Sequence, residues 1–219
     1  MAVGPQSLAG GVSGDRRIDA VLFDIGGVIL QMGDMAMLGP FDGASDSSAI
    51  QRIWLDSPIV DAHERGTIGA DEFAARMVET YAIGCAPSAF LDRCIAWHGD
   101  LFDGVEETIA AIDPGVRVGC LSNTCDYHWR NHARSAEVER LFALQFLSFR
   151  LGVLKPEPAI YWMAAEQLGI LPERILFFDD TERNVVGARG VGFDAHRVQG
   201  MADARRILHE RGLLGNSEP

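Results

Sequence analysis

Four short apolar runs, each ending in a polar cluster, constrain the fold of this chain more than any other feature. They are Ala20–Phe23 before Asp24, residues 116–121 before Ser122, Leu144–Leu147 before Ser148 and residues 175–178 before Asp179, with a weaker fifth at 193–198. Continuously apolar segments of this length suit strands buried on both faces. Helical patterns separate most of them. Val105, Ile109 and Ile112 recur at i, i+4 and i+7, and Ile160, Met163, Ala164 and Leu168 share one face after Pro156. Alternating strands and helices predict an α/β fold, a Rossmann-like parallel sheet with right-handed crossovers.

Residues 31–98 break this rhythm. They offer no convincing strand but several helical pieces, the clearest being a stripe of Phe73, Ala74, Met77, Val78 and Tyr81. Such a stripe reads as the core of a helical insertion. The chain therefore divides into an α/β core (18–30 and 99–219) and an inserted helical segment (31–98). Residues 1–17, rich in Gly, Ser and Ala without periodicity, read as a flexible tail.

Charge narrows the range of partners. The 219 residues carry 31 acidic and 19 basic side chains, a net charge of −12. A balance this acidic disfavours non-specific binding to nucleic acid or to an anionic membrane, both of which need a basic surface. It leaves open a small phosphorylated ligand in a locally positive pocket. No apolar run approaches the ~20 residues that cross a bilayer. The first 15 residues contain no Lys or Arg, and the Arg16-Arg17 pair is followed by Asp19 and Asp24, so the expected location is the cytoplasm. The four cysteines, Cys85, Cys94, Cys120 and Cys125, form no CxxC pair and read as free thiols. His128 and His132 have the i, i+4 spacing of a zinc pair, but no third ligand of matching type accompanies them.

The chemistry collects where the strands end, which is where open α/β sheets bind ligands. Asp24 precedes Gly26-Gly27, Ser122-Asn123-Thr124 can start a helix, Lys155-Pro156 precedes one, and Asp179-Asp180-Thr181 offers Thr181 as an N-cap. Three helix N-termini around one pocket would favour an anion. Carboxylates gathered there need a cation, and hard oxygen ligands without His or Cys suit Mg²⁺. Of the 19 basic residues only Lys155 is a lysine. In a chain that uses Arg elsewhere, this position calls for a compact ammonium on a flexible stem.

The residues 23–28 (Phe-Asp-Ile-Gly-Gly-Val), 121–124 (Leu-Ser-Asn-Thr), 148–156 ending in Lys155-Pro156, and 177–185 containing Asp179-Asp180 resemble the four ordered motifs of the haloacid dehalogenase (HAD) superfamily. The resemblance covers about residues 18–200, and the insertion stands where that superfamily carries a helical type-1 cap. Within the insertion, residues 63–68 (His-Glu-Arg-Gly-Thr-Ile) with Phe73 look like the cap of bacterial sugar-phosphate phosphatases and of the phosphatase domain of soluble epoxide hydrolase.

The resemblance implies that Asp24 is a nucleophile forming an aspartyl-phosphate. It implies Mg²⁺ held by Asp24, the Gly26 carbonyl and Asp180, with Asp179 acting through water. Ser122 and the Asn123 N–H would bind phosphoryl oxygens, and Lys155 would offset the charge on phosphate and Asp24. The expected activity is Mg²⁺-dependent hydrolysis of a small phosphorylated metabolite, with sugar phosphates favoured by the cap. The alternatives are a haloacid dehalogenase-type hydrolase and a catalytically weak binding or regulatory protein on the same fold. One departure matters: many family phosphatases carry a second Asp two residues after the nucleophile as general acid and base, and here that position is Gly26. His63 and Glu64 are the substitutes to weigh, although a solvated helix face is the simpler reading of both.

Overall fold

The computed structural model describes residues 17–215. The expected tail over 1–17 lies outside them apart from Arg17, whose guanidinium sits 3.4 Å from the Asp19 carboxylate.

The first two strands are β1 (Ala20–Phe23) and β2 (Leu30–Met32). A 3-10 turn (Met35–Leu38) leads into α1 (Ser47–Asp56), α2 (Pro58–Glu64), α3 (Ala70–Thr80) and α4 (Pro87–Trp97). There follow β3 (His98–Leu101), α5 (Val105–Ala110), β4 (Arg117–Ser122), α6 (Asp126–Asn131), α7 (Ser135–Leu141), β5 (Leu144–Leu147) and α8 (Ser148–Leu151). The chain closes with α9 (Pro158–Leu168), β6 (Ile175–Asp179), α10 (Glu182–Gly190), β7 (Asp194–Arg197) and α11 (Met201–Glu210).

Five strands form one parallel sheet in the order β5-β4-β1-β6-β7. All four residues of β1 are buried, as the continuous apolar run requires of a central strand covered on both sides. Alternate residues feed opposite layers. Val21, Phe23, Leu176 and Phe178 enter one hydrophobic cluster, while Ala20, Leu22, Ile175 and Phe177 enter the other. The chain runs outward from β1 through β4 and β5, then returns to the far side of β1 with β6. Strand order thus reverses beside β1, which opens a crevice at its carboxyl end.

The inserted helices have their own cluster, which draws Leu38, Ile50, Phe73, Met77, Phe90 and others from residues 35–94. Phe73, Ala74 and Met77 are buried as the stripe predicts, with Val78 and Tyr81 partly buried against them. Local caps start two of the helices: Asp46 accepts from the Ala49 N–H, and Ser57 accepts from the N–H groups of Ile59 and Val60 with Pro58 in the first turn. One feature departs from the sequence reading. The segment is joined to the core through a two-stranded antiparallel ribbon, β2 with β3, pairing Leu30 with Leu101 and Met32 with His98. Its strands are short, half-buried and partly polar (Gln31, His98, Gly99, Asp100), so no apolar run marks them.

Candidate active site

Asp24 leaves the end of β1 and Asp179 ends β6 beside it, so adjacent strands deliver both carboxylates to one point. With Asp180 they bring carboxylate oxygens within 4.8 Å of one another. Lys155 reaches in from the loop before α9. Its Nζ is 2.9 Å from Asp24 Oδ2 and 2.6 Å from Asp179 Oδ2, and 5.5 Å from the centre of the Phe177 ring. Burial opposes the ammonium's charge, but Asp179 and Asp24 outweigh it and hold the lysine's pKa above its ordinary value. Three acids against one base leave two uncompensated negative charges in a largely buried crevice.

The acids show the effect. Burial, only partly offset by Lys155 and reinforced by Asp179 and Asp180, raises the Asp24 pKa to about 7. Asp180 is also raised, by burial and then by Asp179, although Thr181 donates to it. The donor set fits a divalent hard cation, since it is all carboxylate and its excess charge matches. The backbone is shaped to the same end. Gly27 has φ +72°, and a Cβ there would lie 2.4 Å from Asp180 Oδ2, so only glycine lets the turn close over this carboxylate. Asp179 already has partners at both oxygens: Thr181 N–H and Asn184 donate to Oδ1, and Lys155 and Asn184 donate to Oδ2. Asn184 Oδ1 is buried with no hydrogen-bond partner among the described residues, an acceptor held ready beside the acids.

Ser122 ends β4 and is buried, its Oγ making a long 3.5 Å contact to the Asn123 carbonyl. Asn123 does something its sequence position did not disclose. Its side chain donates to the Lys155 carbonyl at 3.0 Å and accepts from the Lys155 N–H at 2.8 Å, a two-point clamp on the backbone that carries the ammonium.

The expected helix starts need correction. Residues after Ser122 continue without helix until Asp126, with Cys125 at the N-cap, and the helix after Lys155 begins at Pro158 rather than Pro156. Thr181 stands at the start of α10 but makes no side-chain cap, because its hydroxyl donates to Asp180 Oδ1.

A cavity of about 700 Å³ opens from this crevice, its lining including Asp24, Ser122 and Lys155 below and Trp54, Glu64 and Trp97 from the inserted helices above. His63 and Glu64 are not on a solvated face. His63 is buried, its ring stacked on Phe73 at 4.1 Å and its Nδ1 3.2 Å from the Ile68 carbonyl, and burial lowers its pKa. Glu64 ends α2 and is raised to about 7, by burial first and by Asp61 second, with Lys155 and Arg183 pulling it back.

His128 and His132 gather with His98, but among the described residues they belong to no group of three side chains whose ligand atoms lie close enough to share a metal ion. Nε2 of His128 lies 2.8 Å from the Cys94 carbonyl, and Nε2 of His132 lies 3.2 Å from the His98 carbonyl. Burial holds His128 near 4 and His98 near 3, so both rings are neutral. All four cysteines are free, and burial pushes the Cys125 thiol up to about 12, away from reactivity. Arg183, Asn184 and Ser148 are site residues that sequence reasoning missed. A polar residue in the first turn after a known strand-end acid is a usable signal for the first two. Ser148 shows its role only through the fold. No helix among the described residues is long and apolar enough to cross a membrane.

Residues 18–192 match the family model of the haloacid dehalogenase-like hydrolases. The chain is 24% identical over 208 residues to a D-ribitol-5-phosphate phosphatase of Bacteroides thetaiotaomicron, covering 87% of this chain and 97% of that one. It is 22% identical over 190 residues to an (S)-2-haloacid dehalogenase of Burkholderia cepacia, covering 82% of each. Among solved structures, a HAD family enzyme of Bacteroides thetaiotaomicron in complex with magnesium and inorganic phosphate superposes with a TM-score of 0.67 at 26% identity, over 82% of this chain and 93% of that one.

Proposed function

Because the chain belongs to the haloacid dehalogenase-like hydrolases, we propose that it is a Mg²⁺-dependent phosphatase acting on a small phosphorylated metabolite through an aspartyl-phosphate on Asp24. The observation that carries this reading is the meeting of Asp24, Asp179 and Asp180 within 4.8 Å around a single buried ammonium. A metal-independent displacement needs at most one further carboxylate, to activate the water that hydrolyses its ester, and so leaves the adjacent pair Asp179-Asp180 unexplained. A phosphatase has a use for the pair, because phosphoryl transfer depends on positioning and on offsetting charge.

Asp24, Asp180 and the Gly26 carbonyl would hold Mg²⁺, and Asp179, whose oxygens are already taken by Lys155, Asn184 and Thr181, would act through water. The ion when bound supplies charge neutralisation for the phosphoryl group. Asp24 is presented by its Oδ1, which accepts from the Ile25 N–H at 2.7 Å, leaving Oδ2 toward Lys155. Lys155 stabilises the carboxylate before attack and the phosphoryl oxygens as charge shifts onto them. Ser122 Oγ and the Asn123 N–H would contribute further donors to the phosphoryl oxygens. A polyhydroxylated leaving group, as in a sugar or sugar-alcohol phosphate, suits the cavity's mixed polar and aromatic walls and agrees with the ribitol-phosphate specificity named for the bacterial relative.

The test is phosphate release across a panel of sugar and polyol phosphates, with Mg²⁺ and with EDTA. Release that needs the metal and vanishes in Asp24→Asn supports the reading. Halide release from 2-haloacids that survives EDTA would replace it with dehalogenation.

A further inference from the structure

On the phosphatase reading, an alkoxide leaving group needs a proton, and the position two residues after Asp24 cannot give one. A neighbouring side chain also crowds that position. A Cβ on Gly26 would come within 3.1 Å of Met32 Sδ, so a methionine of the β2–β3 ribbon stands against the place of the missing acid. The donor must come from elsewhere in the cavity wall.

Most other titratable groups there are committed. Asp34 spends its carboxylate on the Ala36 N–H and the Ser47 hydroxyl. His98, His128 and His132 point ring nitrogens at backbone carbonyls. His63 is stacked on Phe73 and tied to Ile68. Glu64 differs from all of these. It lines the cavity with Asp24, Ser122 and Lys155, and its carboxyl makes no hydrogen bond among the described residues. The groups acting on it are Asp61 on its own helix and Lys155 and Arg183 from the core, while its own charge is felt by Cys125 at the start of α6.

Its backbone is latched in place. Ser148 Oγ donates to the Glu64 carbonyl at 2.7 Å, and Arg65 pairs with Glu157 and donates to the Gly152 carbonyl at 3.2 Å. Gly66, at φ +73°, lets the chain pass so near Phe149 that a Cβ would lie 2.7 Å from the Phe149 carbonyl oxygen. Three consecutive residues of the insertion are thus pinned to the core around one free carboxyl.

We propose that Glu64 is the general acid and base of the reaction, delivered by the inserted helices in place of the group that Gly26 lacks. Asp24 Oδ bonds to phosphorus, the bond from phosphorus to the leaving oxygen breaks, and the Glu64 proton passes to that oxygen, releasing the alcohol. Water then attacks phosphorus and gives a proton to the Glu64 carboxylate. The bond from phosphorus to Asp24 breaks, so phosphate leaves and both acids return to their starting states. A carboxyl whose pKa stands near 7 is matched to both half-reactions at neutral pH.

The test varies the leaving group. Rates are measured for 4-nitrophenyl phosphate, whose leaving group departs without a proton, for phenyl phosphate and for glycerol 1-phosphate, in wild type, Glu64→Gln and Asp24→Asn. Glu64→Gln is expected to lose about 10²- to 10⁴-fold in kcat/KM on the glycerol ester. It should keep the burst of nitrophenolate within a few-fold and then stall at hydrolysis of the aspartyl-phosphate. Wild-type kcat/KM on the glycerol ester should fall as pH rises through about 7, a limb absent in the variant. Equal losses of kcat/KM on all three esters, or none, would overturn the assignment. A steep dependence of the wild-type rate on leaving-group pKa overturns it without any variant. No phosphate release by wild type from any ester would instead overturn the phosphatase reading beneath it.

Discussion

The carboxyl edge of the sheet and the helices above it face one cavity but hold their functional groups by different means. At the edge, the parallel ladder holds Ser122 opposite Leu147 and Asp179 opposite Arg197, and the Asp24 N–H donates to the Phe178 carbonyl at 2.8 Å, a spacing that leaves little freedom. Charge then locks the group together, with Lys155 between two carboxylates. Above, Glu64 hangs from the end of a seven-residue helix and owes its place to a few contacts crossing to α8 and α9: Ser148, Gly152 and Glu157. The lower region is rigid and charge-dense. The upper one is a docked lever, whose removal by a single contact should cost rate more than stability.

Substitutions should separate the two regions. The largest effect is expected at the edge, where Asp24→Asn should cut turnover by at least about 10³-fold, measured as phosphate release with the melting temperature as control. Lys155→Arg comes next. The side chain is fully enclosed, and a planar fork cannot meet Asp24 and Asp179 as a point charge does. A loss of about 2 kcal/mol in transition-state stabilisation, thirtyfold or more, is expected in kcat/KM. Near-normal kinetics would make the chain's single lysine an accident.

Breaking the latch tests the upper region. Arg65→Ala removes a half-exposed ion pair worth less than about 1 kcal/mol of stability, so the melting temperature should barely move. If Glu64 depends on that latch, kcat should fall about tenfold, because misplacement of a reacting group costs rate steeply. Equal retention of both would show that the helices dock without it.

The smallest effect is a stability difference with a defined pH window. The folded pKa of Glu64 is raised from 4.5 to about 7, so its contribution is fully present below 4.5 and lost as pH rises through about 7. Glu64→Gln escapes that loss. At pH 8 the variant should be more stable than wild type by about 1 kcal/mol, reduced from roughly 3 for a closed site because the carboxyl opens onto the cavity. The advantage should vanish below pH 4.5, as followed by denaturant unfolding of the metal-free protein.

What the sequence disclosed follows the same division. Strand-end residues were legible because a buried parallel strand must be a continuous apolar run, and the polar residue after it must lie at the sheet's edge. Asp24, Ser122 and Asp179 are therefore where the pattern puts them, and Lys155 stood out through the chain's preference for arginine. The helix starts after Ser122 and Lys155 were misplaced because loop residues there are occupied with one another, Asn123 clamping Lys155 and Thr124 bonding Ser148. Glu64 and His63 looked like a solvated face because helix periodicity shows which residues share a side, not which neighbour covers it. His63 is buried under Phe73 and Glu64 is half-buried where its backbone docks on Ser148, contacts between distant residues with no local trace.

The central claim is a covalent phosphate on Asp24. Protein quenched in acid during turnover, then reduced with borohydride and digested, should yield the peptide spanning residues 18–52 with the Asp24 side chain reduced to an alcohol, and Asp24→Asn should yield none. A peptide unmodified at Asp24 under full turnover, or the modification on another carboxylate, would contradict the account.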